Sequence, residues 1–236
     1  MTVSRDEIAA RRAEIQERIA RACERRGRDP SAVTLLAVTK THSADTVRLA
    51  ASAGLTHFGE NRVAEGVFKI EALLKDLPGL VWKLIGPLQT NKAKPALQYF
   101  SVVESLDRER LAVRLEGLLA PEGRTLPVLL EVNLGGESTK SGVAPDDAEA
   151  LAGVILAQPH LDLRGFMSVP PFTEDPEGAR PFFRQLIDLR DRIAARFGRA
   201  FPEISMGMSH DFEVAVEEGS TEVRIGTSLF GPRGAA

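Results

Sequence analysis

The sequence alternates short apolar runs with amphipathic helical segments, and this unit recurs eight times along 236 residues. The apolar runs are bounded by turn residues and contain many β-branched residues, which favours strands. In the segments between them, apolar residues recur at helical spacing, as Val63, Val67 and Ile70 do. The predicted strands are residues 33–39, 56–60, 81–86, 99–105, 127–133, 163–169, 203–208 and 222–228.

Strands that alternate with helices predict an all-parallel sheet with helices packed on its faces. Right-handed crossovers leave two architectures, an open doubly wound sheet and a closed barrel. Eight consecutive units favour a (β/α)₈ TIM barrel, and the 43% of hydrophobic residues is enough for its core. Since no Pro/Gly/Ser-rich linker or low-complexity tract interrupts the pattern, we expect residues 1–236 to form a single α/β domain with this fold.

An extra helix is predicted before the first strand, within residues 1–30 and over roughly residues 4–26. Gly27 then ends it, as glycine commonly does. The buried face of this helix is expected to consist of three isoleucines at helical spacing, Ile8, Ile15 and Ile19.

Composition excludes several functional classes. The formal net charge of −3 argues against a non-specific nucleic-acid binder, which is usually basic. A single cysteine, Cys23, permits neither a disulfide within the chain nor a cysteine-based metal site, and the four histidines lack metal-ligand spacing. The sequence has neither a long apolar run nor a signal-peptide pattern. We therefore expect a cytoplasmic protein without metal, nucleic acid or membrane contacts.

Lys40 follows a strongly apolar predicted strand, at the end where TIM barrels carry their active sites. One interpretation is a surface lysine with no further role. The other is a functional amine, because an amine between low-dielectric walls loses its proton more readily. A neutral lysine amine is the nucleophile that forms Schiff bases with aldehydes.

The loops after the last two predicted strands have the composition of a phosphate site. Gly226 and Thr227 come where the eighth strand ends, and Ser209 precedes a helical segment after the seventh. These loops form the usual phosphate site of a TIM barrel. Alternatively, Gly226 only permits tight packing and Ser209 only caps a helix. A lysine amine near a phosphate site suggests an aldehyde that carries a phosphate, for which pyridoxal 5′-phosphate is the obvious candidate.

Six stretches of the sequence, taken together and in order, resemble the pyridoxal-phosphate homeostasis proteins. That family looks like the barrel domain of alanine racemase standing alone. Its members are described as carriers or regulators of the cofactor, without an established reaction. The stretches are LLAVTKTHS, HFGENRVAEG, WKLIGPLQTNK, VLLEVNLGGESTKSG, LRGFMSVPP and SMGMSHDFEVAVEEGSTEVRIGTSLFG.

The resemblance implies a role for individual residues. Lys40 occupies the position that holds pyridoxal 5′-phosphate as a Schiff base, and Arg224 the position of an arginine near the pyridine nitrogen. An arginine there would keep that nitrogen unprotonated and weaken the cofactor as an electron sink. The other implied cofactor-binding residues are Asn61, a polar residue lining the pocket, Met206 near the ring, and Ser209, Gly226 and Thr227 at the phosphate.

Four positions carry weaker or altered signals. Met167 matches a residue near the ring but equally fits ordinary core packing, and Lys140 matches a lysine at the mouth of the site. His42 stands where many members have a second lysine, and His210 where an acid is common. The Pro-rich residues 168–181 have the composition of a loop and suit a lid.

Catalysis of racemisation would require a base on each face of the substrate carbon. Lys40 supplies one candidate, but the single tyrosine, Tyr99, is predicted to begin the fourth strand and to be structural. We therefore expect a monomeric binding protein rather than an enzyme. It would hold pyridoxal 5′-phosphate and deliver it to apoenzymes that depend on this cofactor. The alternative is a weak amino-acid racemase or a related enzyme that uses the cofactor.

Overall fold

The structure, a computed structural model, describes residues 3–137 and 140–231. Eight parallel strands close into a barrel in which each strand pairs with its neighbours in chain order. The strands are β1 (Thr34–Val38), β2 (His57–Glu60), β3 (Val81–Leu84), β4 (Val102–Leu106), β5 (Leu126–Val132), β6 (Leu161–Ser168), β7 (Glu203–Met208) and β8 (Glu222–Ile225).

The pairing of the first strand with the last closes the barrel. Strand β1 pairs with β2 on one side and with β8 on the other, where Thr34 lies opposite Glu222 and Ala37 opposite Ile225. An open sheet would leave both of these strands at an edge. The predicted (β/α)₈ TIM barrel is therefore confirmed.

Helices surround the barrel and fill the connections between successive strands. They are α1 (Arg5–Glu24), α2 (Ala44–Ser52), α3 (Val63–Leu73), α4 (Ala93–Tyr99), α5 (Glu109–Leu119), α6 (Ala148–Leu156), α7 (Arg180–Phe197), α8 (Phe212–Glu217) and α9 (Thr227–Phe230). The main hydrophobic core lies between this helical layer and the outer face of the barrel.

The predicted extra helix is α1, which packs against α2, α8 and α9. The Ser4 hydroxyl accepts a hydrogen bond from the Glu7 amide, and the Glu7 carboxylate accepts one from the Ser4 amide. This reciprocal pair satisfies two amides that the first turn of a helix otherwise leaves without partners. The three isoleucines predicted to face the core are all buried, Ile8, Ile15 and Ile19.

The interior of the barrel contains a polar network instead of purely apolar layers. Lys83 of β3, Glu104 of β4, Ser205 of β7 and Glu222 of β8 contact one another. Because β3 and β4 lie across the barrel from β7 and β8, these side chains meet in its centre. All four are buried, so their contacts hold charge inside the protein.

The predicted strand boundaries differ from the observed ones most at the start of β4 and at the end of β8. Tyr99 does not begin β4; it is the last residue of α4, because the Phe100 amide still donates to the carbonyl of Ala96. Strand β8 ends at Ile225, and the residues expected to continue it form α9 instead. Among the described residues, no helix is long and apolar enough to cross a membrane, and no cluster of potential metal ligands is found.

Candidate functional site

A cavity of about 500 Å³ opens at the carboxyl-terminal ends of the strands. Loops that follow β1, β2, β3, β6, β7 and β8 surround it. Its lining residues are Val38, Lys40, His42, Asn61, Ile85, Val169, Phe172, Met208, Ser209, His210, Arg224, Gly226, Thr227 and Gly231. Six of the seven residues that the sequence assigns to the cofactor therefore line one cavity.

Lys40 enters the cavity from a tight turn after β1. The strand ends at Val38, Thr39 is fully buried, and Lys40 itself is partly buried. The next residue, Thr41, has a φ of 69°, in the left-handed region. This conformation is a genuine outlier for a β-branched residue, so the surrounding structure must enforce it.

The loops after β7 and β8 are joined by the side chain of Ser209. Its hydroxyl oxygen accepts hydrogen bonds of 3.3 Å from the backbone amides of Gly226 and Ser228. The Ser228 hydroxyl donates in return to the Ser209 carbonyl at 3.4 Å. With Thr227 beside them, these residues bring hydroxyl groups and backbone N–H groups to one end of the cavity. Such groups are ordinary ligands of a phosphate.

Arg224 reaches the cavity from β8 while 4% of its surface is exposed. Its Nη1 donates to the Ser205 hydroxyl at 2.8 Å, and its Nη2 donates to the Ser168 carbonyl at 2.7 Å. Ser205 in turn lies 2.7 Å from Glu104 and 3.1 Å from Glu222. The guanidinium is therefore held in one orientation by the network that fills the barrel interior.

The carboxylates of this network do not share their charge equally. Burial and the neighbouring Glu104 charge raise the pKa of Glu222 well above its usual value. Burial opposes ionisation of Glu104 as well, but Lys83 lowers the pKa of this group. Burial alone would lower the pKa of Lys83, but the two carboxylates outweigh it and raise that pKa. Lys83 therefore stays charged between the two carboxylates, at 2.5 Å from Glu222 and 3.2 Å from Glu104.

Asn61 lines the cavity just after β2, and a glycine from the next strand connection packs against it. A Cβ atom on Gly86 would lie 2.3 Å from the Asn61 carbonyl oxygen. Only glycine permits this close approach. The glycine of the GPLQ stretch thus lets the backbone of Asn61 approach the end of β3.

Met206 does not line this cavity, and the prediction that it packs beside a bound ring is corrected. Successive residues of a strand point to opposite faces of the sheet. Because Ser205 points into the barrel, Met206 points outward, where it is fully buried in the main hydrophobic core. Met208 lines the cavity instead. Met167 is also fully buried and is not a lining residue.

The mouth of the cavity is formed by the Pro-rich stretch and by His210. The His210 Nε2 lies 3.1 Å from the carbonyl oxygens of both Thr173 and Glu174. Its ring also lies 5.3 Å from that of Phe172, a cavity residue that is 78% exposed. The ring of His42, another lining residue, lies 4.8 Å from that of Phe230. His210 therefore ties the loop after β6 to the loop after β7.

Lys140 lies beside the mouth but is not among the residues that line the cavity. Its ammonium pairs with Glu137 at 2.7 Å and donates to the Pro170 carbonyl at 3.3 Å. These contacts connect the loop after β5 to the Pro-rich stretch.

Comparisons with known proteins identify the family of this chain. The family model of the alanine racemase N-terminal domain matches residues 11–234. A pyridoxal phosphate homeostasis protein of Aquifex aeolicus is 47% identical over 219 residues, which cover 93% of this chain and 95% of that protein.

Two solved structures have the same fold over nearly the whole chain. The crystal structure of an unknown protein from Bifidobacterium adolescentis has a TM-score of 0.89 and 36% identity, covering 96% of this chain and 95% of that one. The structure of PipY from Synechococcus elongatus, with pyridoxal phosphate bound, has a TM-score of 0.83 and 36% identity. That match covers 95% of this chain and all of PipY, 100%. This chain therefore belongs to the alanine racemase N-terminal domain family and, within it, to the pyridoxal phosphate homeostasis proteins.

Proposed function

We propose that this protein binds pyridoxal 5′-phosphate as a Schiff base on Lys40 and takes part in the homeostasis of that cofactor. The observation that carries the proposal is that Lys40, Arg224 and the loops of Ser209 and Gly226 line one cavity. PipY, at 36% identity, has this cofactor bound. The relative from Aquifex aeolicus carries the name of a pyridoxal phosphate homeostasis protein.

The residues present fit the cofactor in size and in chemistry. A cavity of about 500 Å³ lies within the range typical of small-molecule sites. The Ser209 hydroxyl and the neighbouring backbone amides suit a phosphate, and Lys40 suits an aldehyde. Three apolar side chains provide surfaces for an aromatic ring, Val38, Ile85 and Met208.

Pyridoxal 5′-phosphate, when bound, supplies an aldehyde and a conjugated ring that can accept electrons. Lys40 would hold the aldehyde end of the cofactor, since a neutral lysine amine is a nucleophile toward aldehydes. The residues at Ser209 and Gly226 would hold the phosphate, so that the aldehyde stays within reach of Lys40.

Arg224 would face the ring nitrogen as a permanently charged donor. Its bonds to Ser205 and Ser168 fix the direction in which it points. A cationic donor at the ring nitrogen opposes protonation there and reduces the ability of the ring to accept electrons.

Curated relatives are named for homeostasis and not for a reaction, in agreement with the prediction that the protein is not an enzyme. Delivery of the cofactor to apoenzymes, a monomeric state, a single domain and a cytoplasmic location remain proposals that follow from the sequence.

The test is reduction with borohydride in the presence of pyridoxal 5′-phosphate, followed by peptide mass spectrometry. We expect the reduced adduct on Lys40 in the wild type and no adduct in Lys40→Ala. Lys94→Ala, which changes an exposed lysine on α4, serves as the matched control and should keep the adduct. An adduct on a different lysine of the wild type would overturn the assignment.

A further inference from the structure

A buried ionic cluster lies behind the Lys40 turn, and none of its members lines the cavity. It consists of Glu60 at the end of β2 and of Glu65 and Lys69 on α3. We call these three residues the turn clamp. Glu60 is fully buried and Lys69 is 2% exposed, whereas the Glu65 side chain is 26% exposed.

The turn clamp binds the residue that precedes Lys40. Lys69 donates from Nζ to the carbonyl of Thr39 at 2.6 Å. The Thr39 hydroxyl donates to Oε1 of Glu60, also at 2.6 Å. Two separate groups of Thr39, one on the backbone and one on the side chain, are thus fixed by buried charges.

The turn clamp also binds the residue that follows Lys40. The amide of Thr41 donates to Oε1 of Glu65 at 2.5 Å. This hydrogen bond supports the left-handed conformation of Thr41, whose φ is 69°. The same Glu65 oxygen lies 2.7 Å from the Lys69 ammonium. The two flanks of Lys40 are therefore joined through one ammonium group.

Burying the charges of this cluster removes them from water, which is costly. The Lys69 ammonium lies 2.7 Å from each of two carboxylates, those of Glu60 and Glu65. The second oxygen of Glu60 is buried and has no hydrogen-bond partner. Well-packed apolar residues often stabilise a core at least as well as a buried ion pair does. What apolar residues cannot provide is directional hydrogen bonds to the backbone of the turn.

We propose that Glu60, Glu65 and Lys69 are positioning residues for Lys40, which hold both of its neighbours so that its amine meets the aldehyde of a bound ligand. The inference rests on the proposed function and extends it to a set of residues outside the cavity. Lys69 is not itself the reacting amine, since its Nζ contacts three oxygen acceptors on the far side of the turn.

Glu65→Ala is the most informative variant. It removes the support of Thr41 but leaves Lys69 paired with the buried Glu60, and its site is partly exposed. We therefore expect the variant to fold. Glu65→Gln keeps an oxygen that can accept from the Thr41 amide and should restore much of the lost function. Glu71→Ala, on the same helix and bonded to the Tyr99 hydroxyl, is the matched control.

Two ligands distinguish a loss of Lys40 positioning from general damage to the cavity. Pyridoxal 5′-phosphate reacts with Lys40, whereas pyridoxine 5′-phosphate has an alcohol in place of the aldehyde and does not. In Glu65→Ala, Schiff-base formation, followed by absorbance, should slow by on the order of tenfold to a hundredfold. The affinity for pyridoxine 5′-phosphate should stay within about twofold of the wild type, because displacing the Lys40 amine leaves the phosphate and ring contacts intact.

A second variant extends the test to the buried members. Glu60→Gln combined with Lys69→Met removes one charge of each sign. This double variant should also slow Schiff-base formation and leave the affinity for pyridoxine 5′-phosphate nearly unchanged. Equal losses for both ligands, or unchanged Schiff-base formation, would overturn the inference. If wild-type protein forms no adduct on Lys40, the proposed function fails first. If wild type reacts at Lys40 and Glu65→Ala reacts equally fast, only the positioning role fails.

Discussion

Arg224 donates a hydrogen bond to the hydroxyl of Ser205 over 2.8 Å, and this bond connects the cavity to the charged interior of the barrel. Below Ser205, the carboxylates of Glu104 and Glu222 lead to Lys83. A residue of the candidate site is thus oriented by groups several strands away. Lys40 is likewise positioned by residues outside the cavity, because the turn clamp holds its two neighbours.

Ser205→Ala should destabilise the fold. It removes the acceptor of Arg224 Nη1 and leaves a buried, charged donor without a partner, which costs about 1–3 kcal/mol. Urea unfolding measures the change in the free energy of unfolding. Ser52→Ala, at an exposed position on α2, should change it by less than about 0.5 kcal/mol. Equal effects of the two substitutions would contradict a structural role for this bond.

Glu131 should make stability depend on pH. Burial, reinforced by the charge of Asp107, raises its pKa to about 7, from an ordinary value of 4.5. One carboxylate oxygen is buried without a hydrogen-bond partner. Between pH 4.5 and about pH 7, the folded state therefore keeps a proton on Glu131 that the unfolded state has released. The contribution of this group to stability falls as pH rises from 4.5 to about 7, by at most about 3 kcal/mol.

Glu131→Gln isolates this contribution. The variant keeps the shape of the side chain but cannot ionise, so its stability relative to the wild type should increase between pH 5 and pH 8. Urea unfolding of both proteins at the two pH values measures the difference. A stability difference that does not change with pH would show that Glu131 ionises normally in the folded protein.

Met206 and Met208 should behave differently although they are two residues apart. Met206→Ala deletes a fully buried side chain and should cost about 2–5 kcal/mol of stability. Met208→Ala trims the cavity wall and should mainly weaken binding of pyridoxal 5′-phosphate. Unfolding and equilibrium binding measured on both variants give the comparison. The prediction is wrong if Met206→Ala weakens binding more than Met208→Ala does.

Sequence patterns did not predict that the side chain of Met206 points away from the cavity. The alternation of strands and helices was sufficient to predict the barrel, and the residues at strand ends were sufficient to predict most of the cavity. Which face of β7 points inward depends on strand register, and only the contacts of Ser205 establish it. Aromatic and β-branched residues around Tyr99 predict a strand at this position. In the structure, α4 extends to Tyr99 instead.

The turn clamp was equally hidden from the sequence. Glu65 and Lys69 are four residues apart, a spacing that usually indicates an exposed pair on a helix. Their burial follows from Glu60, which comes from a strand and lies 2.7 Å from Lys69. Similarly, Glu104 and Glu222 stand in apolar strand segments, and nothing in the sequence pairs them with Lys83 across the barrel.

His210 should control the rate of cofactor exchange. It contacts the carbonyl oxygens of Thr173 and Glu174 and packs against the cavity residue Phe172. His210→Ala removes these contacts, so binding and release of pyridoxal 5′-phosphate should both accelerate several-fold in stopped-flow measurements. His160→Ala, a histidine that instead pairs with Glu116, is the matched control. Slower release from His210→Ala would contradict this role.

The protein should not accelerate exchange of the α-hydrogen of amino acids. Racemisation needs a base on each face of the substrate carbon. Tyr99 cannot serve, because it lies on α4 with its hydroxyl bonded to Glu71. Incubation with L- and D-alanine in deuterated water, followed by NMR, should show exchange no faster than with free pyridoxal 5′-phosphate.

The two cavity histidines, His42 and His210, are the remaining candidate bases. Exchange at a rate typical of enzymes, lost in His42→Asn or His210→Asn, would instead establish the racemase alternative.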